Sequence, residues 1–255
     1  MLDLGGNKRR RKSKSAVVYI PVAAILISTL VLLGIGVFLR VIEIEVTGAS
    51  RHTIDDIIKA SGIKAGDNML FIDKVGAVKS IQSAMPYISG VNIETKLPDK
   101  IIIEVNESVP LAMLEDQAGI IVVDSSGRIL DITEIAPKGL IEIRGFTPVN
   151  SVVGNVLRAD VRDETRLRCL LEVIEAINNE GIESDVSFID VSNIVYINFR
   201  YSERFLVMLG TTDNIAYKMG TLSEAVNSIN ATRPKDETGT IYLSDKEPGR
   251  WSPDR

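Results

Sequence analysis

The sequence predicts an α+β protein held by one N-terminal transmembrane helix. A small β-α-α-β-β unit follows the span, and then a second, mixed α/β domain with an antiparallel sheet. Three observations carry this reading. Residues 16–39 contain no charge over 24 positions. Apolar and polar residues alternate in short runs through most of the remainder, as in half-buried strands. Between those runs lie a few stretches with apolar residues at helical spacing.

The span comes first. At about 1.5 Å per residue a helix over Ala16 to Leu39 reaches roughly 36 Å, enough to cross a hydrocarbon core of about 30 Å. A cleaved leader would carry an apolar region of about 7–15 residues and a small-x-small cleavage site. Here the run ends Gly36-Val-Phe-Leu-Arg40, with no such site. It is apolar on all faces, unlike a helix packed at the edge of a core. Pro21 falls in its first turns, where a missing N–H does little harm. Residues 1–15 hold Lys8, Arg9, Arg10, Arg11, Lys12 and Lys14 against Asp3, a local charge of +5; the formal total is −5, so the rest carries −10. The positive-inside bias places this basic head in the cytoplasm and the acidic remainder outside. An acidic surface is a poor match for phosphate backbones, so no nucleic-acid partner is expected.

Chemistry has little to work with. Cys169 is the only cysteine and His52 the only histidine. No intramolecular disulfide can form, and a zinc site or a Cys–His nucleophile lacks material. Cys169 falls in a helical stretch, where a small buried hydrophobe is the simple reading. A membrane-bound Ser–Lys peptidase shares this topology, but no motif frames Ser50 with Lys59 or Lys79. Asp55 and Asp56 are adjacent, so their side chains diverge. The expectation is no catalytic residue, no cofactor, no metal and no small-molecule substrate.

In Val41 to Val46, Ile42, Ile44 and Val46 face one way and Glu43 and Glu45 face water, a half-buried strand. Thr53 is an N-cap, with Asp55 and Asp56 at the positive end of a short helix carrying Ile54, Ile57, Ile58 and Ser61. Gly62 stops it, and residues 64–68 form a loop. Asp73 to Met85 is a second helix with Val75, Val78 and Ile81 on one side and Pro86 beyond its end. Val91, Ile93 and Thr95, then Ile101, Ile103 and Val105, mark two strands joined at Leu97 to Lys100.

The motifs in this order carry a resemblance. A span, then Val-x-x-Ile-x-Val-x-Gly, then Gly-x-x-x-Gly-Asp-Asn (Gly62 to Asn68), Pro-Tyr-Ile-x-x-Val (Pro86 to Val91) and Leu-Pro-Asp-x-Ile-x-Ile-x-Val-x-Glu (Leu97 to Glu107) resemble a POTRA domain. More narrowly, the series is similar to the FtsQ/DivIB family of bacterial division proteins. The resemblance implies a cytoplasmic head at 1–15, a span at 16–39, a POTRA domain at 40–108, a family-type second domain at 109–244 and a flexible tail at 245–255.

In the second domain, Ala112 to Leu114, Ile120 to Asp124 and Arg128 to Leu130 are short strands, and Leu140 to Gly145 adds another. Residues 146–160 are irregular. Thr165 to Glu180 is a helix with Leu167, Leu170, Leu171, Ile174 and Ile177 on one stripe, stopped by Gly181. Strands follow at Val186 to Val191, Ile194 to Phe199 and Phe205 to Leu209. Ile215, Met219, Leu222, Val226 and Ile229 mark a last helix, read as packed on the sheet because a coiled coil sustains its pattern longer. Thr240 to Ser244 closes the domain, and Asp245 to Arg255 is a polar tail.

A closing strand at a sheet edge has free N–H and C=O groups that accept a strand from another chain. The resemblance implies that this edge, Thr240, Ile241, Tyr242, Leu243, Ser244 and Asp245, docks small bitopic coiled-coil division proteins of the FtsB/FtsL kind, beside other division proteins. Family members often carry an Asp in this strand and an Arg-Tyr pair at its end, where this chain has Tyr242, Ser244 and Asp245. The expected function is a non-catalytic membrane-embedded scaffold at the division septum. The alternative is a chaperone-like POTRA module in protein transport.

Overall fold

A computed structural model describes residues 14–117, 119–234, 236–245 and 249–253. It opens on helix α1 (Lys14–Phe38), 25 residues long. The side chains of residues 14–18, 31–33 and 35–37 lie outside the described set. Among the described residues no helix is long and apolar enough to cross a membrane. The span expected at 16–39 therefore stands on the sequence, and residues 1–13 of the head expected at 1–15 lie outside the described residues.

The chain divides into two compact units, Met1–Val78 with Asn92–Glu104, and Lys79–Val91 with Val105–Arg255. The elements after α1 are β1 (Glu43–Thr47), α2 (Ile54–Ser61), α3 (Lys74–Ala84), β2 (Ile88–Lys96) and β3 (Lys100–Glu107). The strands form a sheet in the order β1-β3-β2, with β1 parallel to β3. Local chemistry sets the helix ends. Thr53 Oγ1 accepts from the Asp56 N–H at 3.2 Å, and Gly62 ends α2 at φ 71°, where a side chain would be strained. The Asp73 carboxylate accepts from the Gly76 N–H at the start of α3. Glu43 and Glu45 meet Lys100 across the sheet. That pairing lowers the Glu45 carboxyl and raises the Lys100 ammonium from their ordinary values.

Two residues face opposite to the sequence reading. Ile42 is exposed and Val41 buried. Residue 42 precedes the strand, where Val41 is bonded in both directions to the loop at 66–67. Val75 is exposed, and the inner face of α3 is carried by Ala77 and Ile81.

The second unit carries β4 (Ala112–Asp116), β5 (Gly119–Val123), β6 (Ile129–Thr133), β7 (Ile141–Arg144), α4 (Glu164–Glu180), β8 (Val186–Asp190), β9 (Ile197–Tyr201), β10 (Phe205–Gly210), α5 (Ile215–Thr232), β11 (Gly239–Tyr242) and β12 (Arg250–Pro253). They build a nine-stranded sheet ordered β12-β11-β10-β9-β8-β7-β4-β5-β6. The sheet is mixed, which corrects the antiparallel expectation: β4–β7, β7–β8 and β10–β11 are parallel. Parallel neighbours need a crossover. The helices α4 and α5 supply it for β7–β8 and β10–β11, and the two helices pack against each other.

Strand β9 starts three residues later than its apolar run. Asn193 takes the chain into a turn, its Oδ1 accepting from the Val195 N–H and its carbonyl from the Tyr196 N–H. Ser202 and Glu203, at φ 49° and 56°, then close the β9–β10 hairpin, the backbone of a type I′ turn. Phe199, Phe205, Ile189, Val207, Leu170 and Ile241 are among the fully buried core side chains, and Cys169 is buried with them as expected.

Candidate interaction surface at the C-terminal sheet edge

Strand β11 takes its place from β10 and α5. Arg204 fixes the entry. Its guanidinium donates to Asn230 Oδ1 at 2.9 Å and to the carbonyls of Pro234 and Glu237 at 3.2–3.3 Å. The Arg204 carbonyl accepts from the Gly239 N–H. Strand β11 then runs parallel to β10, Ile241 opposite Val207 and Tyr242 opposite Met208. Ile241 and Leu243 point into the core, and Tyr242 is 48% exposed on the other face. That alternation is the period-two rule of a strand.

The exit is held by charge. Lys218 on α5 is 4% exposed, and its ammonium lies 2.9 Å from Asp245 Oδ1. The same Nζ donates to the Thr211 carbonyl at 2.9 Å. A buried ammonium needs such partners, because removing it from water unpaired costs several kcal/mol. The carboxylate of Asp245 is therefore turned toward Lys218, although its side chain stays 39% exposed.

The expected edge is corrected here. Strand β11 is covered on its outer side by β12, antiparallel, with Thr240 opposite Ser252 and Ile241 opposite Trp251. Part of the segment taken as a flexible tail is thus a strand; residues 246–248 and 254–255 lie outside the described residues. The close approach explains Gly239. A Cβ there would meet Ser252 O at 2.5 Å and Trp251 Nε1 at 2.6 Å. Trp251 packs partly buried against the core, with the Arg233 guanidinium 4.9 Å from its ring centre. A cation over an indole face is favourable electrostatically. Arg250, Ser252 and Pro253 are exposed.

Of the six residues expected at the edge, Thr240 to Tyr242 lie in β11, and Leu243 follows it, bonded to the Met208 carbonyl. Ser244 and Asp245 lie beyond the strand. Among the described residues the outermost strand at this end is β12, which lies within the expected tail at 245–255. The available signal was Trp251, the only tryptophan of the chain, in an otherwise polar segment. The opposite edge strand, β6, is partly covered: Ile129 exchanges backbone hydrogen bonds with Asn155 and Gly154.

Among the described residues no group of three His, Cys, Asp or Glu side chains converges as a metal site would require. His52 lies just before α2 and Cys169 within α4.

Residues 39–108 match the model of the POTRA domain, FtsQ-type. The chain is 32% identical over 218 residues to a cell division protein DivIB of Clostridium botulinum, covering 84% of this chain and 81% of that one. A DivIB of Clostridium acetobutylicum is 30% identical over 207 residues, covering 80% and 78%. A cell division protein FtsQ of Corynebacterium glutamicum is 30% identical over 142 residues, covering 54% and 63%.

Proposed function

Because the chain belongs to the FtsQ/DivIB family of cell division proteins, we propose that it is a non-catalytic, membrane-anchored scaffold of the divisome that works by strand addition at its C-terminal sheet edge. The membrane anchor is the uncharged run Ala16 to Leu39, with the basic head inside and the acidic domains outside. The protein recruits and regulates septal wall synthesis through protein contacts. Its partners are small bitopic coiled-coil proteins of the FtsB/FtsL kind, beside other division proteins.

One observation supports the docking site: among the described residues β12 is the last strand of the sheet, Trp251 packs partly on the core and Gly239 leaves room for its approach, so the outer backbone of β12 can template a further strand. Backbone pairing supplies the affinity, so the departures at Tyr242, Ser244 and Asp245 leave the mode intact. Tyr242 adds an exposed aromatic contact on one face of the same end. Within the set Thr240 to Asp245, Tyr242 is the contact residue of this proposal, and Asp245 holds the edge in place through Lys218.

The test is an in-cell photo-crosslink from a reactive side chain at Ser252 and, separately, at Tyr242, with the captured chain identified by mass. A small single-span coiled-coil protein captured from both positions is the expected result. A mixture of secreted or outer-membrane chains would move the assignment to transport. Capture only from a third probe at Glu94, exposed on the POTRA edge strand β2, would refute the choice of edge.

A further inference from the structure

The first unit presents an aromatic turn beside the end of the apolar run. Residues 39–41 form a short antiparallel ladder with residues 66–69. Leu39 O accepts from the Met69 N–H at 3.0 Å, Arg40 bridges Asn68, the Val41 N–H donates to Asp67 O at 2.9 Å, and Val41 O accepts from the Gly66 N–H at 2.8 Å. The chain then turns sharply. Asn68 Oδ1 accepts from the Leu70 N–H, and Asn68 O from the Phe71 N–H, both at 3.0 Å. Met69 is buried and anchors the turn, while Leu70 is 56% and Phe71 83% exposed.

This is a costly display in water: two large apolar side chains are held outward by a preformed turn. Its position suggests the solvent that favours it. Leu39 is the last residue of the uncharged run, and Phe71 lies two Cα steps from Met69, so its Cα is within about 12 Å of the Leu39 carbonyl. Phe38 and Ile42, on either side of the ladder, are exposed too. The interfacial layer of a bilayer is about 5–7 Å thick on each side, so the turn lies within its reach. Aromatic and aliphatic side chains partition there, and Lys64 and Lys74 flank the turn in sequence, where cations can meet lipid phosphates. Asp67 and Asp73 keep their charge, each accepting a backbone N–H, from Lys64 and Gly76, and Lys64 and Lys74 balance them in number.

We propose that the turn at residues 68–71 is an interfacial membrane anchor: Leu70 and Phe71 insert at the headgroup–acyl boundary of the leaflet from which the span emerges. The contact would fix the orientation of the first unit against the membrane. The inference rests on the membrane-anchor reading above, and the experiment separates the two.

Full-length chain with Trp251→Phe carries one new tryptophan at a time, as Phe71→Trp, Leu70→Trp, Ala65→Trp or Leu30→Trp. Each is reconstituted in phosphatidylcholine–phosphatidylglycerol vesicles, with or without lipid brominated high on the acyl chain. The expected result is blue-shifted, bromine-quenched emission at positions 71, 70 and 30, and water-like, unquenched emission at 65. Quenching at 30 with emission at 71 and 70 no different from 65 overturns the interfacial anchor and leaves the span standing. Absence of quenching at 30 overturns both. Emission at 71 that is blue-shifted but insensitive to brominated lipid would mean a protein surface covers the turn, and also overturns the proposal.

Discussion

Asp245→Asn is the sharpest perturbation of the C-terminal end. It keeps an oxygen acceptor of nearly the same shape and removes only the charge. Lys218 Nζ sits 2.9 Å from Asp245 Oδ1, and its other neighbour at that distance is the Thr211 carbonyl, a dipole rather than a charge. Two unit charges about 4 Å apart interact by about 4 kcal/mol at an effective dielectric near 20. Asp245 is 39% exposed, so water screens part of this. Roughly half, about 2 kcal/mol, is the expected loss. In a domain of about 150 residues that lowers Tm by about 4–8 °C. The assay is thermal unfolding of the purified full-length chain in detergent, followed by circular dichroism and by the emission of Trp251. Adding Lys218→Met should recover most of the loss, because an apolar side chain of similar length fills the site without a charge. A Tm within about 1 °C of the parent would instead show that the pair is screened by water and does not hold the end of β11.

Two further outcomes follow from the same region. Gly239→Ala drives a methyl group into Ser252 O and the Trp251 ring, so β12 should leave β11 while the core holds; the check is faster amide exchange at 250–252 and red-shifted Trp251 emission. Burial, and secondarily the charge of Asp185, raises the Tyr201 phenol above its ordinary value of 10.0. A raised folded pKa contributes stability that is fully present below the unfolded pKa and lost as pH rises through the folded one. Denaturant midpoints should therefore fall above pH 10, and less steeply in Tyr201→Phe, in a pH series measured by circular dichroism.

The elements that could be read from sequence are those whose cause is local. Thr53 and Gly62 bracket α2, Gly181 ends α4 in a left-handed conformation, and the apolar stripe of α4 is buried at Leu170, Val173, Ile174 and Ile177. The features that escaped depend on partners distant in sequence. Nothing within β7 or β8 says that they run parallel; the crossover through α4 decides it. Strand β12 is four residues with an exposed proline, too short and polar to signal itself, and it exists because β11 offers it a ladder and a glycine-sized gap. Val75 is exposed because six residues put it about 120° round the helix from Ile81, outside the buried stripe. At the candidate site, the inward alternation of Ile241 and Leu243 was legible from period two, while the commitment of Asp245 to a lysine 27 positions earlier was not.

In the proposed mode the outer edge of β12 takes up a strand from a division partner. The most direct measurement is amide exchange at Arg250, Trp251 and Ser252 in the full-length chain, held in lipid nanodiscs, with and without a bitopic coiled-coil partner of the FtsB/FtsL kind. The β12 N–H groups facing away from β11 should exchange rapidly alone and become protected in the complex, with Tyr242 side-chain signals shifting alongside. Unchanged exchange along β12 in a complex that protects another edge would contradict that mode.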